Sequence, residues 1–256
     1  MKDLLRQITV ILSVAATIVI NILANTLPLN GLNTGEISDQ FQVFFVPAGY
    51  VFSIWGLIYI GLIAYSVFQA LPSQRENPRL RSTGYLVAFS GLANIAWIFL
   101  WHYEQFPLTL VAMFTLLVTL IAIYLRLGTG ITQVSTVEKW TVQIPFSIYL
   151  GWITVATAAN ITDVLYFLNW DGFGISPEVW FLVVLAAVIV ISGLASLTRR
   201  DTAYNLVILW ALVGISVKHS SITLVMVASL VSAVIVAAIL IYSRISPKAM
   251  LVSSQG

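Results

Sequence analysis

The sequence predicts an all-α fold, a polytopic membrane helical bundle of about eight transmembrane helices. Three observations carry this. Of 256 residues, 59% are hydrophobic and only 9% charged, whereas soluble domains carry about 25% charge. Apolar runs of about 20 residues, the length a bilayer core requires, recur along the chain. The basic residues also fall almost entirely on alternate loops.

The runs place helices near 4–27, 48–71, 82–103, 107–127, 138–163, 178–198, 202–218 and 222–243. Pro28 and Pro72 follow the first two spans, where a helix cannot easily continue. Pro47, Pro107 and Pro177 stand where a first helical turn tolerates a missing N–H. Ser176 before Pro177 reads as an N-cap. Pro145 lies inside the fifth span and predicts a kink near its inner end. The seventh span is short, and the charge pattern retains it. With an inside N-terminus, Lys2, Arg6, Arg75, Arg79, Arg81, Arg126, Lys139, Arg199, Arg200, Arg244 and Lys248 are inside. Those are 11 of the 12 basic residues, and Lys218 alone is outside. The positive-inside rule then puts both termini in the cytoplasm of a protein integral to the cell (inner or plasma) membrane. The first span reads as a retained helix, because it is long and lacks a small-residue cleavage site.

Composition also excludes chemistry. With no cysteine and two histidines, His102 and His219, neither disulfides nor thiolate or all-histidine metal sites are available. A net charge of +2 is uninformative about nucleic acid, and none is expected as a partner. No nucleophile–base pair, metal cluster or phosphate loop is visible, so the chain does not read as an enzyme. Lys218 and His219 are adjacent at a helix end, which disfavours a retinal-type lysine.

At 1.5 Å rise per residue, depths follow from position. Asn21 and Trp55 lie roughly 10 Å below the outer helix ends, Trp97 about 9 Å, Asn94 about 14 Å and Trp152 about 16 Å. Asn25, Tyr59 and Asn160 belong to the same layer, the outer half of the membrane. Such a layer is what a cavity opening outward would produce. Asn21, Asn25, Thr154 and Thr157 also suit helix–helix hydrogen bonding. Trp101, Trp140, Trp170 and Trp180 suit an interfacial belt, and Asp163 and Glu104 read as solvated helix ends. The segment 28–47, "PLNGLNTGEISDQFQVFFVP", reads equally as a lid over the outer face or as an ordinary solvated loop.

Three stretches resemble the TspO/MBR family, the translocator or tryptophan-rich sensory proteins. "YLGWITVATAAN" is similar to the family's fifth-helix signature through Tyr149, Leu150, Trp152, Ala156, Thr157 and Asn160. Gly151 stands for the usual Ala and Val155 for the usual aromatic. "PAGYVFSIWGLIY" keeps the spacing of Pro47, Trp55 and Tyr59, and "LANIAW" that of Leu92, Asn94, Ala96 and Trp97. The resemblance covers residues 1–165 as a TspO-like five-helix bundle, leaving 166–256 as an additional three-helix membrane segment. It implies a cavity under a first-loop lid, lined by Trp55, Asn94, Trp97, Trp152 and Ala156. Together with the layer, the candidate ligand-binding residues are Trp55, Tyr59, Asn94, Trp97, Trp152, Ala156, Asn160 and Asn25. Family lids commonly carry tryptophan, whereas 28–47 holds only Phe41, Phe44 and Phe45 as large aromatics.

The function implied is a sensor or carrier for a porphyrin, another tetrapyrrole or a similar flat hydrophobic molecule. No cofactor is required, and a porphyrin or haem-like ligand is what the resemblance suggests. Expected partners are the lipid bilayer and that small molecule, and a homodimer is compatible. The alternative is a secondary transporter of a small hydrophobic or amphipathic molecule. Broken helices and midplane charges, which transporters usually show, are sparse. A scaffold for other membrane proteins is a further option for the last three spans.

Overall fold

The structure is a computed structural model that describes residues 1–27 and 29–246. Expectations placed on Pro28 and Lys248 lie outside the described residues. Eight long helices follow in order: α1 Lys2–Thr26, α2 Ile54–Ala70, α3 Pro78–His102, α4 Phe106–Arg126, α5 Ile144–Phe167, α6 Pro177–Leu194, α7 Thr202–Lys218 and α8 Thr223–Ile245. No strand occurs among the described residues. Seven helical segments are long and apolar enough to cross a membrane. Helix α2 reaches that length together with the 3-10 turn before it, as Gly49–Ala70, and α7, at 17 residues, spans about 25 Å.

Polar contacts fix the helix directions. Arg81 pairs with Asp3 at 2.6 Å, and Arg79 with Glu138 at 2.6 Å. Arg126 donates to the Ser82 carbonyl, and Arg199 to that of Thr129. Arg200 donates to the Ser246 carbonyl at 2.6 Å, so α6 and α8 finish at the same end. The short α7 must therefore run between opposite faces, and eight traverses result. The arginines gather at one end of the bundle, as the charge pattern predicts.

The fifth span begins as a short α turn at Thr136–Glu138 and widens into a π-helical turn over Lys139–Gln143 before α5 proper. Pro145 lacks an N–H and crowds the carbonyl four residues earlier. The wider turn absorbs that conflict, so the expected kink takes the form of a π turn. Ser176 occupies the N-cap of α6, but its side chain makes no capping bond. The cap expected there is positional only.

Helix α5 is the hub, packing against α2, α4 and α7, while α3 lies between α1 and α4. Two glycines permit its closest approaches. A Cβ on Gly61 of α2 would lie 2.9 Å from that of Pro145. One on Gly151 would lie 2.9 Å from the Tyr204 carbonyl oxygen of α7. Helix α7 thus occupies the space that an alanine at 151 would need, which accounts for the departure from the family signature. We expect Gly151→Leu to separate α5 from α7 and to destabilise the fold by about 1–3 kcal/mol. Thermal melting in detergent measures this, and an unchanged midpoint would show that the two backbones do not meet there.

Candidate functional site

The residues after α1 do not form an open loop. Asn33 caps the short helix Thr34–Ser38 by accepting from the Gly35 and Glu36 amides, and the Glu36 carboxylate accepts from the Asn33 amide. This capping box shapes the segment locally. Its apolar side then docks on the bundle. Ile37 and Phe41 are buried, and the Phe41 ring lies 5.0 Å from Phe106 and 5.7 Å from Trp101. Further on, Phe44 and Phe45 pack on Phe181 of α6. Lys218 of α7 pairs with Asp39 at 2.7 Å, although such an exposed pair contributes at most about 1 kcal/mol. The segment is therefore a lid over the end of the bundle opposite the arginines, and phenylalanines hold it down.

His102 ties the lid to α3. It is 1% exposed, with Nδ1 3.1 Å from the Leu29 carbonyl and Nε2 3.0 Å from the Thr34 hydroxyl. A carbonyl only accepts, so Nδ1 carries the proton, and in the neutral ring Nε2 accepts from Thr34. At the far end of α7, burial and then the adjacent Lys218 charge lower the His219 pKa. Its imidazole meets the Phe44 ring at 5.9 Å.

Beneath the lid lie two spaces. The wider is a groove of about 470 Å³. Asn21, Ile22 and Asn25 of α1 line one side, and Trp55 and Tyr59 of α2 the other. The second is an inner chamber of about 50 Å³ reaching Trp101, Trp152, Ala156, Asn160 and Asp163. Thr34, Phe52, Trp55 and Trp97 line both and so form the wall between them. Trp55 stacks on Tyr59 at 5.6 Å and meets Trp152 edge-on at 6.4 Å, while Trp97 stacks on Trp101 at 5.2 Å.

Seven of the eight sequence-predicted residues reach these spaces. Trp55 and Trp97 lie between them, Tyr59 and Asn25 line the groove, and Trp152, Ala156 and Asn160 line the chamber. Asn94 lines neither. It accepts from the Asn21 amide at 2.6 Å and donates to the Tyr149 hydroxyl at 3.1 Å, joining α1, α3 and α5. Asn160 serves twice, accepting from Trp97 Nε1 at 3.1 Å and donating to Thr109 at 2.9 Å. Thr154 bonds across helices as expected, taking the Tyr204 hydroxyl at 3.1 Å.

The sequence reading assigned two residues of the chamber to other roles. Trp101 is 2% exposed and donates to the Thr34 carbonyl, so it is a wall of the chamber rather than part of an interfacial belt. Asp163 is 3% exposed and faces the chamber, so it is not a solvated helix end. The available signal was helical spacing. Trp152, Ala156, Ala159, Asn160 and Asp163 recur at three and four residues along one face.

Two polar atoms on the chamber residues, Trp152 Nε1 and Asp163 Oδ1, are buried without a hydrogen-bond partner. No group of acidic and histidine residues able to hold a metal is present among the described residues. The geometry offers aromatic faces, an indole donor and a carboxylate for binding. We expect Asn94→Ala to cost about 0.6–1.7 kcal/mol, from the average to the largest value for bonds between membrane helices. Asn25→Ala, at an exposed groove position, should shift the melting midpoint much less. Equal shifts would deny Asn94 its structural role.

No curated protein and no solved structure matches the chain. The sequence profile described as TSPO-like protein matches residues 7–242, running past residue 165 and through α6 and α7 into α8. The lid, the fifth-helix face and the aromatic cavity belong to the region so matched, and the chain belongs to the TSPO-like protein family.

Proposed function

We propose that this membrane protein is a sensor or carrier for a flat hydrophobic molecule of the porphyrin or tetrapyrrole kind. The single observation that carries the reading is the pair of aromatic-walled spaces beneath the lid, with the Trp152 indole N–H buried and unpartnered beside them. The groove, at about 470 Å³, falls in the range of small-molecule sites, about 300–1,000 Å³. Trp55 and Tyr59 offer a stacked face to a planar ring. Ile22, on the α1 side of the groove, is exposed where lipid would surround the bundle. A ligand dissolved in the bilayer would therefore enter between α1 and α2 without crossing water. Family membership supports ligand binding or transport in general, and the aromatic geometry supports the planar ligand.

The test is a titration of the protein in nanodiscs with protoporphyrin IX, followed by tryptophan fluorescence. We expect saturable quenching, weakened about tenfold or more by Trp152→Phe and by Ala156→Phe, whose ring would fill the chamber. Both variants should retain the wild-type melting midpoint within a few degrees. Non-saturable quenching, or quenching unaltered in both folded variants, would overturn the reading.

A further inference from the structure

The inner chamber contains a group that a flat ligand without a positive charge leaves without a purpose. The Asp163 carboxyl is 3% exposed and lines the chamber, and its Oδ1 is buried with no hydrogen-bond partner. The ion pairs among the described residues do not include it. The Lys218 ammonium at the end of α7 is held by Asp39 at 2.7 Å. A carboxylate so buried is costly without a partner, and the group keeps its negative charge only when a cation sits against it.

The rest of the chamber shows what would bind. Trp55, Trp97, Trp101, Trp152 and Phe52 face the same space as Asp163. Aromatic faces around a carboxylate are the recognition chemistry of an organic ammonium, which the ring quadrupoles attract and the carboxylate neutralises. The charged residues lining the two spaces are all acidic. Asp163 lines the chamber, while Glu36 and Asp39 line the groove, the first engaged in its capping box and the second with Lys218. Neither space is lined by a lysine or arginine. Size limits what enters. At about 50 Å³ the chamber admits the equivalent of about three or four waters, enough for a small cationic head and not for a ring system.

We propose that the ligand is a hydrophobic organic cation, its positive end in the inner chamber against Asp163 and its flat body in the groove beside Trp55 and Tyr59. This rests on the reading of the two spaces as a ligand site and specifies the charge of what they take. The Trp152 N–H is left to a hydrogen-bond acceptor on the same ligand.

An isosteric pair of planar probes tests the charge. 4-Phenylbenzylammonium carries its charge on a primary ammonium head small enough for the chamber, and 4-ethylbiphenyl is its neutral counterpart of nearly the same shape. Both are titrated into the protein in zwitterionic nanodiscs, with tryptophan emission as the readout, beside Asp163→Asn and the exposed loop control Asp171→Asn. The expected result is saturable binding of the cation at least tenfold tighter than of the biphenyl. Asp163→Asn should abolish that preference while leaving the neutral probe within about twofold, and Asp171→Asn should keep it. Equal affinities in the wild type, or a preference that survives Asp163→Asn, would overturn the proposal. Should Asp163→Asn fail to fold, the wild-type comparison of the two probes decides alone. If protoporphyrin IX binds in a Trp152-dependent way and the charge preference is missing, only this proposal falls. If neither planar probe nor protoporphyrin IX saturates, the ligand-site reading falls and this proposal with it.

Discussion

Lipid offers no hydrogen bonds, so every polar side chain buried in this bundle must find its partner in the protein. That constraint organises the structure. Asn21, Asn94 and Tyr149 satisfy one another across α1, α3 and α5. Trp97, Asn160 and Thr109 do the same across α3, α5 and α4. Near the arginine-rich end, Ser147 donates to Asp201 at 2.6 Å, and Asp201 also caps α7 by accepting from the Tyr204 amide. Ser192 and Asn205 join α6 to α7. Each bond is worth little alone, yet together they specify which helix faces meet. Trp152 Nε1 and Asp163 Oδ1 then stand out because both belong to residues lining one chamber. The other buried unpartnered atoms belong to residues that do not line it.

The last three helices support the cavity from outside, since none of their residues lines it. Helix α7 packs on α5, and Gly151 is the residue that lets it. At its other end, the Gly214 carbonyl accepts from the Ala48 amide at 3.1 Å, and a Cβ at Gly214 would collide with Val51. Trp210 donates to the Val51 carbonyl, and Phe181 receives Phe44 and Phe45. The later helices therefore hold the C-terminal half of the segment that closes the groove, while His102 and Trp101 of α3 hold its start. This explains how a lid without tryptophan stays in place. Its phenylalanines act as anchors in apolar sockets on α4 and α6, and the indoles that face the cavity come from the helices below.

Seen together, the two spaces divide recognition. The groove supplies area and stacking for a flat body, and the chamber supplies a few fixed polar groups for its end. Mostly apolar walls with a small number of oriented polar atoms are the usual composition of a small-molecule site. Here the division falls at Phe52, Trp55 and Trp97, whose side chains touch both spaces.

The sequence by itself determined the helices, their order and the layer that holds the site. A bilayer permits few structures, so apolar length and proline positions suffice to place spans, and the observed boundaries differ from the expected ones by only a few residues. Depth was legible too, because the rise per residue is constant along each helix, and Trp55, Trp97 and Trp152 do meet in one layer. Direction around each helix was not legible, nor was what covers its end. Asn94 therefore read as a wall, although its face turns to Asn21 and Tyr149. Trp101 and Asp163 read as interfacial and solvated, although the capped Thr34–Ser38 helix and its phenylalanines seal them from water. Gly151 read as a replacement for the family's alanine, and that α7 is the helix packed against it was not legible. Each of these outcomes depends on which surfaces far apart in the chain come into contact, and only the tertiary structure decides that.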